Sequence, residues 1–393
     1  MGVNIERAVG QLGRTVPTED AVICIVFSGT AVAGKIALSE PKQIFSVDAL
    51  TDLGITAVNN PVAYRDIVDF YGKAGEGAEL NFMLISDATS LTDICDVTKD
   101  IGRKLLDFTN DRAVIFMVNR KPAAGYEPVI TQGMDGDVWT ALTKLNEMAI
   151  QYDAAEIPFT GFLPGLLFDT TKIADMPNRS TLTKDYVAVS VACEKADGHI
   201  SMGVLAAWLA KHQVHQNVGR IASGPVVDSG FFPDAVNTNT LKASWSVLNT
   251  KAVIYFYKER GKSGYFFNDD STMTTTASDY SSVSWNRTIT KAKRIANRVL
   301  VEKLKDDIDL NPTTGKIESG LLSDWESEVE NAVRAEMINV PVTKRREISG
   351  VQFTINPDSD IVNDKIDGTI NIVRKGQVKQ IDVKIGYVRA ISE

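Results

Sequence analysis

Gly29-Thr-Ala-Val-Ala-Gly34-Lys35 has the G-x-x-x-x-G-K spacing of a loop that cradles phosphates. It follows an apolar run, as such a loop must. The next position should be Ser or Thr, whose hydroxyl holds magnesium, and here it is Ile36. The loop should also open a helix whose N-terminal amides face the phosphates, yet Pro41 follows closely. A tight strand-to-loop turn fits better. His199, His212 and His215 are the only histidines. His212 and His215 stand at i, i+3 and could share a helix face. Zinc needs three or four convergent ligands, and no other His or Cys lies near. Surface histidines are expected. Ser-His-Asp and Cys-His chemistry are poorly supported, and no G-x-S-x-G elbow is present. Asn268-Asp269-Asp270 could hold a hard divalent cation, but no EF-hand loop surrounds it, so an Asx-type turn is expected. Cys24, Cys95 and Cys193 lie far apart and read as buried thiols of a reducing compartment. The expectation is no catalytic residue, no cofactor-binding residue and no metal ligand.

Two charge runs stand out. Arg287–Lys305 carries seven basic residues (Arg287, Lys291, Lys293, Arg294, Arg298, Lys303 and Lys305) against Glu302. The next helical stretch carries Asp324, Glu326, Glu328, Glu330 and Glu336 against Arg334. Such runs are either solvated faces that pair with each other or docking faces for protein partners.

These residues must be positioned by α/β elements. Ala21–Phe27, Leu80–Ile85 and Ala113–Val118 are unbroken apolar runs, expected as buried strands. Val62–Tyr71, Thr92–Phe108 and Asp137–Ala149 read as helices between them. This alternation indicates a mostly parallel sheet. Ile157–Leu163 reads as extended, Ile200–Lys211 as a buried helix and Ala252–Tyr257 as a further strand. A polar Ser/Thr-rich loop is expected over Thr272–Ser284, and helices follow over about Trp285–Lys305 and Ser323–Ile338. Ile348–Ile355, Lys365–Val373 and Gln377–Val388 read as strands, with a tight turn at Arg374-Lys375-Gly376-Gln377. The expected divisions are an extended arm over 1–20, an α/β domain over 21–165 and a loop-rich region over 166–250 that completes it. A C-terminal domain over 251–376 and a closing strand over 377–393 follow.

The chain has 393 residues, 44% hydrophobic and 23% charged, which is ordinary for a globular protein of two or three domains. Lys and Arg number 42 against 50 Asp and Glu, net −8, so no broadly basic nucleic-acid-binding surface is expected. The longest apolar runs are too short to cross a bilayer, so no stable membrane insertion is expected. Met-Gly-Val-Asn-Ile-Glu-Arg lacks a signal-peptide pattern, so synthesis and folding in a cytoplasm are expected. Both ends are patterned for strand addition. Val3, Ile5 and Val9 lie in a polar arm, and Ile381, Val383, Ile385 and Tyr387 alternate, with Val378 before them. Arms that complete a neighbour's sheet build rings or helical filaments. Pairing within one subunit is the alternative.

The layout resembles contractile tail sheath proteins of myophages and of phage-tail-like injection systems. The segments that carry the resemblance are Ala21–Ala31, Pro41–Val47, Ala63–Gly72 and Asn81–Ser86. Lys251–Lys258, Gly264–Asp270, Asp279–Val283 and Arg287–Ala292 then lead into the two helices and closing strands. The resemblance implies a sheath-type α/β domain built from both chain ends, α+β overall, with an inserted middle domain, a C-terminal hairpin and exchanged terminal strands. It implies a non-enzymatic subunit that stacks as six-membered rings around an inner tube and contracts. Partners would be further copies of itself, the inner tail tube protein, and baseplate and tail terminator proteins. Val3–Val9 and Val378–Val388 would be the exchanged strands, hinged near Gly10, Gly13 and Gly376. Lys291, Arg294, Arg298 and Lys305 are the candidates for facing the tube, with the acidic helix as rival. The competing expectations are a nucleotide-binding α/β enzyme using Gly29–Lys35, or another phage structural protein such as a tube or capsid component.

Overall fold

Polar alternation is missing from the strongest apolar runs, and a strand without alternation is stable only when both of its faces are covered. The computed structural model, which describes residues 19–305, 307–339, 346–359, 365–379, 381 and 383, shows that arrangement. In chain order the body contains β1 (Ile23–Ser28), β2 (Lys42–Ile44), α1 (Pro61–Ala74), β3 (Leu80–Ile85), α2 (Leu91–Cys95) and α3 (Ile101–Phe108). Then come β4 (Ile115–Asn119), α4 (Gly136–Ala154), β5 (Thr160–Pro164), β6 (Val187–Ser190), α5 (Met202–Lys211) and β7 (Val253–Ile254). The seven strands lie in the order β7-β6-β5-β4-β1-β3-β2. All neighbours are parallel except β2, which runs antiparallel to β3 at the edge. Every residue of β1, β3, β4, β5 and β6 is buried.

α1 packs on α5, and α2 on α4. The α1–α5 crossing depends on Gly203, where a Cβ would stand 2.1 Å from the Asp66 carbonyl oxygen. One apolar cluster runs from Ile23 to Val283, so a single core covers residues that the sequence reading divides at 165 and 250.

Three expected elements differ. Thr92–Phe108 is not one helix. Asp96 accepts from Thr98 N–H and Thr98 Oγ1–H, starting a new turn, and Asp100 sits at φ 60, so α2 and α3 are separate. Ala252–Tyr257 divides into β7 and β8 (Phe256–Tyr257), the latter antiparallel to β9 (Phe266–Phe267). Tyr255 N–H donates to the Asn268 side chain at the break, leaving the parallel ladder. The expected polar loop Thr272–Ser284 contains a short strand, Met273–Thr274, paired with Thr183–Lys184.

The C-terminal unit is built on α6 (Val283–Val301) and α7 (Ser319–Val333), which continues into a wide turn over Arg334–Ile338. A hairpin of β10 (Ile348–Ile355) and β11 (Gly368–Arg374) packs on them. Two small cores hold this unit, one around Trp325, Val329, Phe353 and Ile355, the other around Ile295, Met337, Ile348 and Val351.

Candidate inter-subunit surface

The basic run of α6 serves mostly to fasten the helix to its own subunit. Arg287 is 3% exposed. It donates to the carbonyls of Leu209 and Asp20, at 3.0 and 3.1 Å, and so neutralises the end of α5. Burial pushes its guanidinium down to about 10. One turn on, the Lys291 Nζ lies 2.6 Å from Asp20 Oδ2 and 2.8 Å from Glu347 Oε2. Burial works against that charge, but the two carboxylates outweigh it and hold Lys291 above the usual lysine range. Arg294 donates to the carbonyls of Asp111 and Ala113 at 2.7 Å and of Pro158 at 3.1 Å. Lys293 pairs with Asp153 and Glu156. Arg298 meets Glu336, and Lys303 meets Glu328 at 2.7 Å, so the basic and acidic helices pair directly.

Of the four residues expected to face a tube, two are engaged within the subunit. Lys291 and Arg294 point into the subunit, because the start of β4, the approach to β5 and Asp20 offer acceptors that burial would otherwise leave without partners. Only Arg298 and Lys305 of the four remain exposed.

The first turn of α6 anchors the other end of the chain. Asp270 accepts from Ser284 N–H at 2.9 Å and from Ser282 Oγ–H, a helix cap delivered by a distant turn. Burial and the neighbouring Asp269 raise the Asp270 carboxyl to about 6. Asn217 Nδ2 donates to both carboxylates at 2.6 Å. Lys379 Nζ reaches Asp269 at 2.6 Å. The position where a divalent cation was weighed is thus served by an ammonium, an amide and hydroxyls. Among the described residues no three Asp, Glu, His or Cys side chains converge as a metal site. Gln377 Nε2 donates to Ser284 Oγ at 2.9 Å and to the His215 carbonyl at 3.3 Å.

The expected turn at Arg374–Gln377 does not form. The Arg374 guanidinium instead lies over the Trp285 ring, 3.4 Å from its centre, and carries the chain from β11 to α6. Gln377–Lys379 is irregular rather than a strand. Val378 within it, and Ile381 and Val383 beyond it, are 78%, 78% and 80% exposed. Val3, Ile5, Val9, Ile385 and Tyr387 lie outside the described residues. Both chain ends therefore root on the first three turns of α6, Asp20 at Arg287 and Lys291, and Gln377 at Ser284.

The other candidates take structural roles. Val32 and Ile36 exchange backbone hydrogen bonds of 2.9 and 3.1 Å, and no helix follows the Gly29–Lys35 loop. Thr30 N–H, which would face a phosphate, donates to Asn60 Oδ1 at 2.7 Å. The histidines are half-buried rather than on the surface. His199 Nε2 lies 2.8 Å from Asp66, which also accepts from Asn119 at 2.6 Å. His212 Nδ1 donates to the Trp208 carbonyl at the end of α5. The three cysteines are buried free thiols, and burial pushes each thiol well up. Asp20, Glu347 and Gln377 were not singled out from sequence. The only signal was their place at expected segment boundaries.

Two family domains cover nearly the whole chain, the DUF2586 N-terminal domain at residues 1–271 and the DUF2586 C-terminal domain at 279–392. The chain belongs to the DUF2586 family. No curated protein matches it. Among solved structures, this DUF2586 chain is similar to a chain of the anti-feeding prophage baseplate, with a TM-score of 0.62, 12% identity and 98% of each chain covered. A chain of the contracted PVC sheath complex, an extracellular contractile injection system, gives 0.59 at 12% identity over 98% of this chain and 97% of that one. The sheath tail protein of Desulfitobacterium hafniense gives 0.50 at 9% identity over 95% and 100%. The DUF2586 chain has the fold of contractile tail sheath proteins.

Proposed function

We propose that this protein is a structural, non-enzymatic subunit of a contractile sheath. In this reading it polymerises as stacked six-fold rings around an inner tube and contracts to drive that tube through a target envelope. The observation that carries it is the end-to-end match to sheath-complex chains, 98% of this chain against 97–98% of theirs. The exposed Val378, Ile381 and Val383 support it, being apolar side chains with little cover from their own subunit. So does the rooting of both chain ends on α6, which would keep them connected while subunits rotate. Val3–Val9 and Val378–Val388 are the proposed exchanged strands. The tube-facing charge is narrowed to Arg298 and Lys305. Further partners would be baseplate and tail terminator proteins of a virion tail or injection particle.

Negative-stain electron microscopy of the purified chain across concentration and salt tests the reading, with hollow tubes or stacked rings expected. Removal of residues 379–393 should leave a folded, soluble monomer. A truncated protein that still forms tubes would sink the strand-exchange part.

A further inference from the structure

The central sheet changes direction between β1 and β4. From β1 the chain moves to β2 and β3 on one side, and from β4 it moves to β5, β6 and β7 on the other. The connections therefore leave the carboxyl ends of β1 and β4 in opposite directions. In open α/β sheets such a point leaves a crevice that can take a ligand. Here a cavity of about 840 Å³ lies against the residues that follow β4, the first half of α1, the turn after β5 and the loop ahead of α5. Ligand pockets span about 300–1,000 Å³.

Buried polar contacts fix its walls. Asn119 Nδ2 donates to Asp66 Oδ2 at 2.6 Å and to the Ile200 carbonyl at 2.8 Å. His199 Nε2 lies 2.8 Å from Asp66 Oδ1. Lys121 N–H donates to Ser28 Oγ at 2.7 Å, tying the end of β4 to the end of β1. Walls held in this way need little reordering when a ligand enters.

The lining is basic on a chain of net charge −8, with Arg65, Arg120, Lys121 and Lys195 against Asp69 and Asp197. Arg65 is engaged by Asp197 at 2.6 Å and lies 3.9 Å from Asp69, and Arg120 lies 3.8 Å from Asp137. Lys121 and Lys195 are exposed, and among the described residues no carboxylate pairs with either. They come from different walls, one after β4 and one after β6. Tyr64, Val68 and Leu167 supply an apolar side.

We propose that this cavity binds a small organic phosphate monoester, with its phosphate between Lys121 and Lys195 and its organic body against Tyr64, Val68 and Leu167. Two ammoniums balance a doubly charged phosphate, and charge-assisted hydrogen bonds hold it. The volume and the apolar side call for more than an inorganic ion. No residue of the Gly29–Lys35 loop lines the cavity, so this site is separate from the phosphate-loop spacing. It does not rest on the sheath reading, and either can fail alone.

Calorimetric titration of the unassembled full-length chain with adenosine 5′-monophosphate and with phenyl phosphate tests the site. Both should bind with Kd below about 1 mM, and adenosine and inorganic phosphate at least tenfold more weakly. Lys121→Glu/Lys195→Glu should weaken both esters at least tenfold while keeping the parental denaturation midpoint. Lys262→Glu, exposed and outside the cavity, should leave binding unchanged. Ester binding should also slow amide exchange within 119–122 and 195–200. Absence of binding by both esters would overturn the proposal, as would binding that the double variant leaves intact or that Lys262→Glu weakens equally. Inorganic phosphate binding as tightly as the esters would overturn the role of the apolar side, and adenosine binding as tightly as its monophosphate would overturn the role of the lysines.

Discussion

The ammonium of Lys291 lies 2.6 Å from Asp20 and bridges it to Glu347, 2.8 Å away on its other side. Asp20 lies just ahead of β1, and Glu347 directly precedes β10. One side chain of α6 therefore ties the approach to β1 to the hairpin. Lys291→Met would leave Glu347, 2% exposed, without its cation. Removing one partner of a buried pair costs about 3 kcal/mol. Chemical denaturation should show a loss of that order, and a midpoint within error of the parent would show that the bridge contributes nothing. Arg298→Ala, at an exposed pair, should cost less than about 1 kcal/mol by the same measurement.

His215 and Asp270 flank the C-terminal root and respond to acid in opposite directions. Burial, with Lys375 and Arg220 nearby, lowers the His215 imidazole to about 4. A base with a depressed folded pKa stabilises the fold above its unfolded value and loses that contribution as pH falls toward 4. Asp270, raised to about 6, behaves oppositely, and its unfavourable contribution is relieved as pH falls through 6. His215→Gln should therefore remove acid sensitivity on the order of 2 kcal/mol between pH 7 and 4. Asp270→Asn should make the protein more acid-sensitive than the parent. Thermal melts across that range check both, and parallel pH profiles for the two variants would contradict the assignment.

Gly203→Ala puts a methyl group 2.1 Å from the Asp66 carbonyl oxygen, which is backbone and cannot rotate away. α1 and α5 would have to separate, at a cost of about 3 kcal/mol. Gly72→Ala on α1, where a Cβ meets nothing within 4 Å, is the control and should be neutral or slightly stabilising. Denaturation midpoints of the two variants should differ accordingly.

β3 and β10 have the bounds Leu80–Ile85 and Ile348–Ile355 that the sequence suggested. The first is a continuous apolar run, and the second alternates against a one-sided core, so each pattern had a single stable solution. The intramolecular partners of Lys291 and Arg294 were not legible for a physical reason. A cluster of cations on an acidic chain reads as a solvated face, and nothing local reveals that strand starts and a helix end supply acceptors. The capping role of Asp270 was hidden in the same way, since its helix begins thirteen residues later. Arg374 was taken for a turn residue because its stacking partner, Trp285, lies far away in sequence.

Val378, Ile381 and Val383 allow assembly to be separated from folding. Each is at least 78% exposed, so Ile381→Lys/Val383→Lys removes almost no packing from the isolated subunit. Surface changes of that kind shift stability by about 0.5 kcal/mol or less. In a strand added to another subunit, one face of the segment would be covered, and two buried lysines would be costly. The double variant should keep the parental denaturation midpoint in dilute solution and fail to form tubes under conditions where the parent does. Lys379→Ala should act differently, since it cuts the ion pair with Asp269 that aims the root while leaving the apolar residues in place. It should raise the concentration needed for assembly without abolishing tubes. Sedimentation and electron microscopy on the two variants separate these outcomes, and tubes from the double-lysine protein would show that this segment is not buried between subunits.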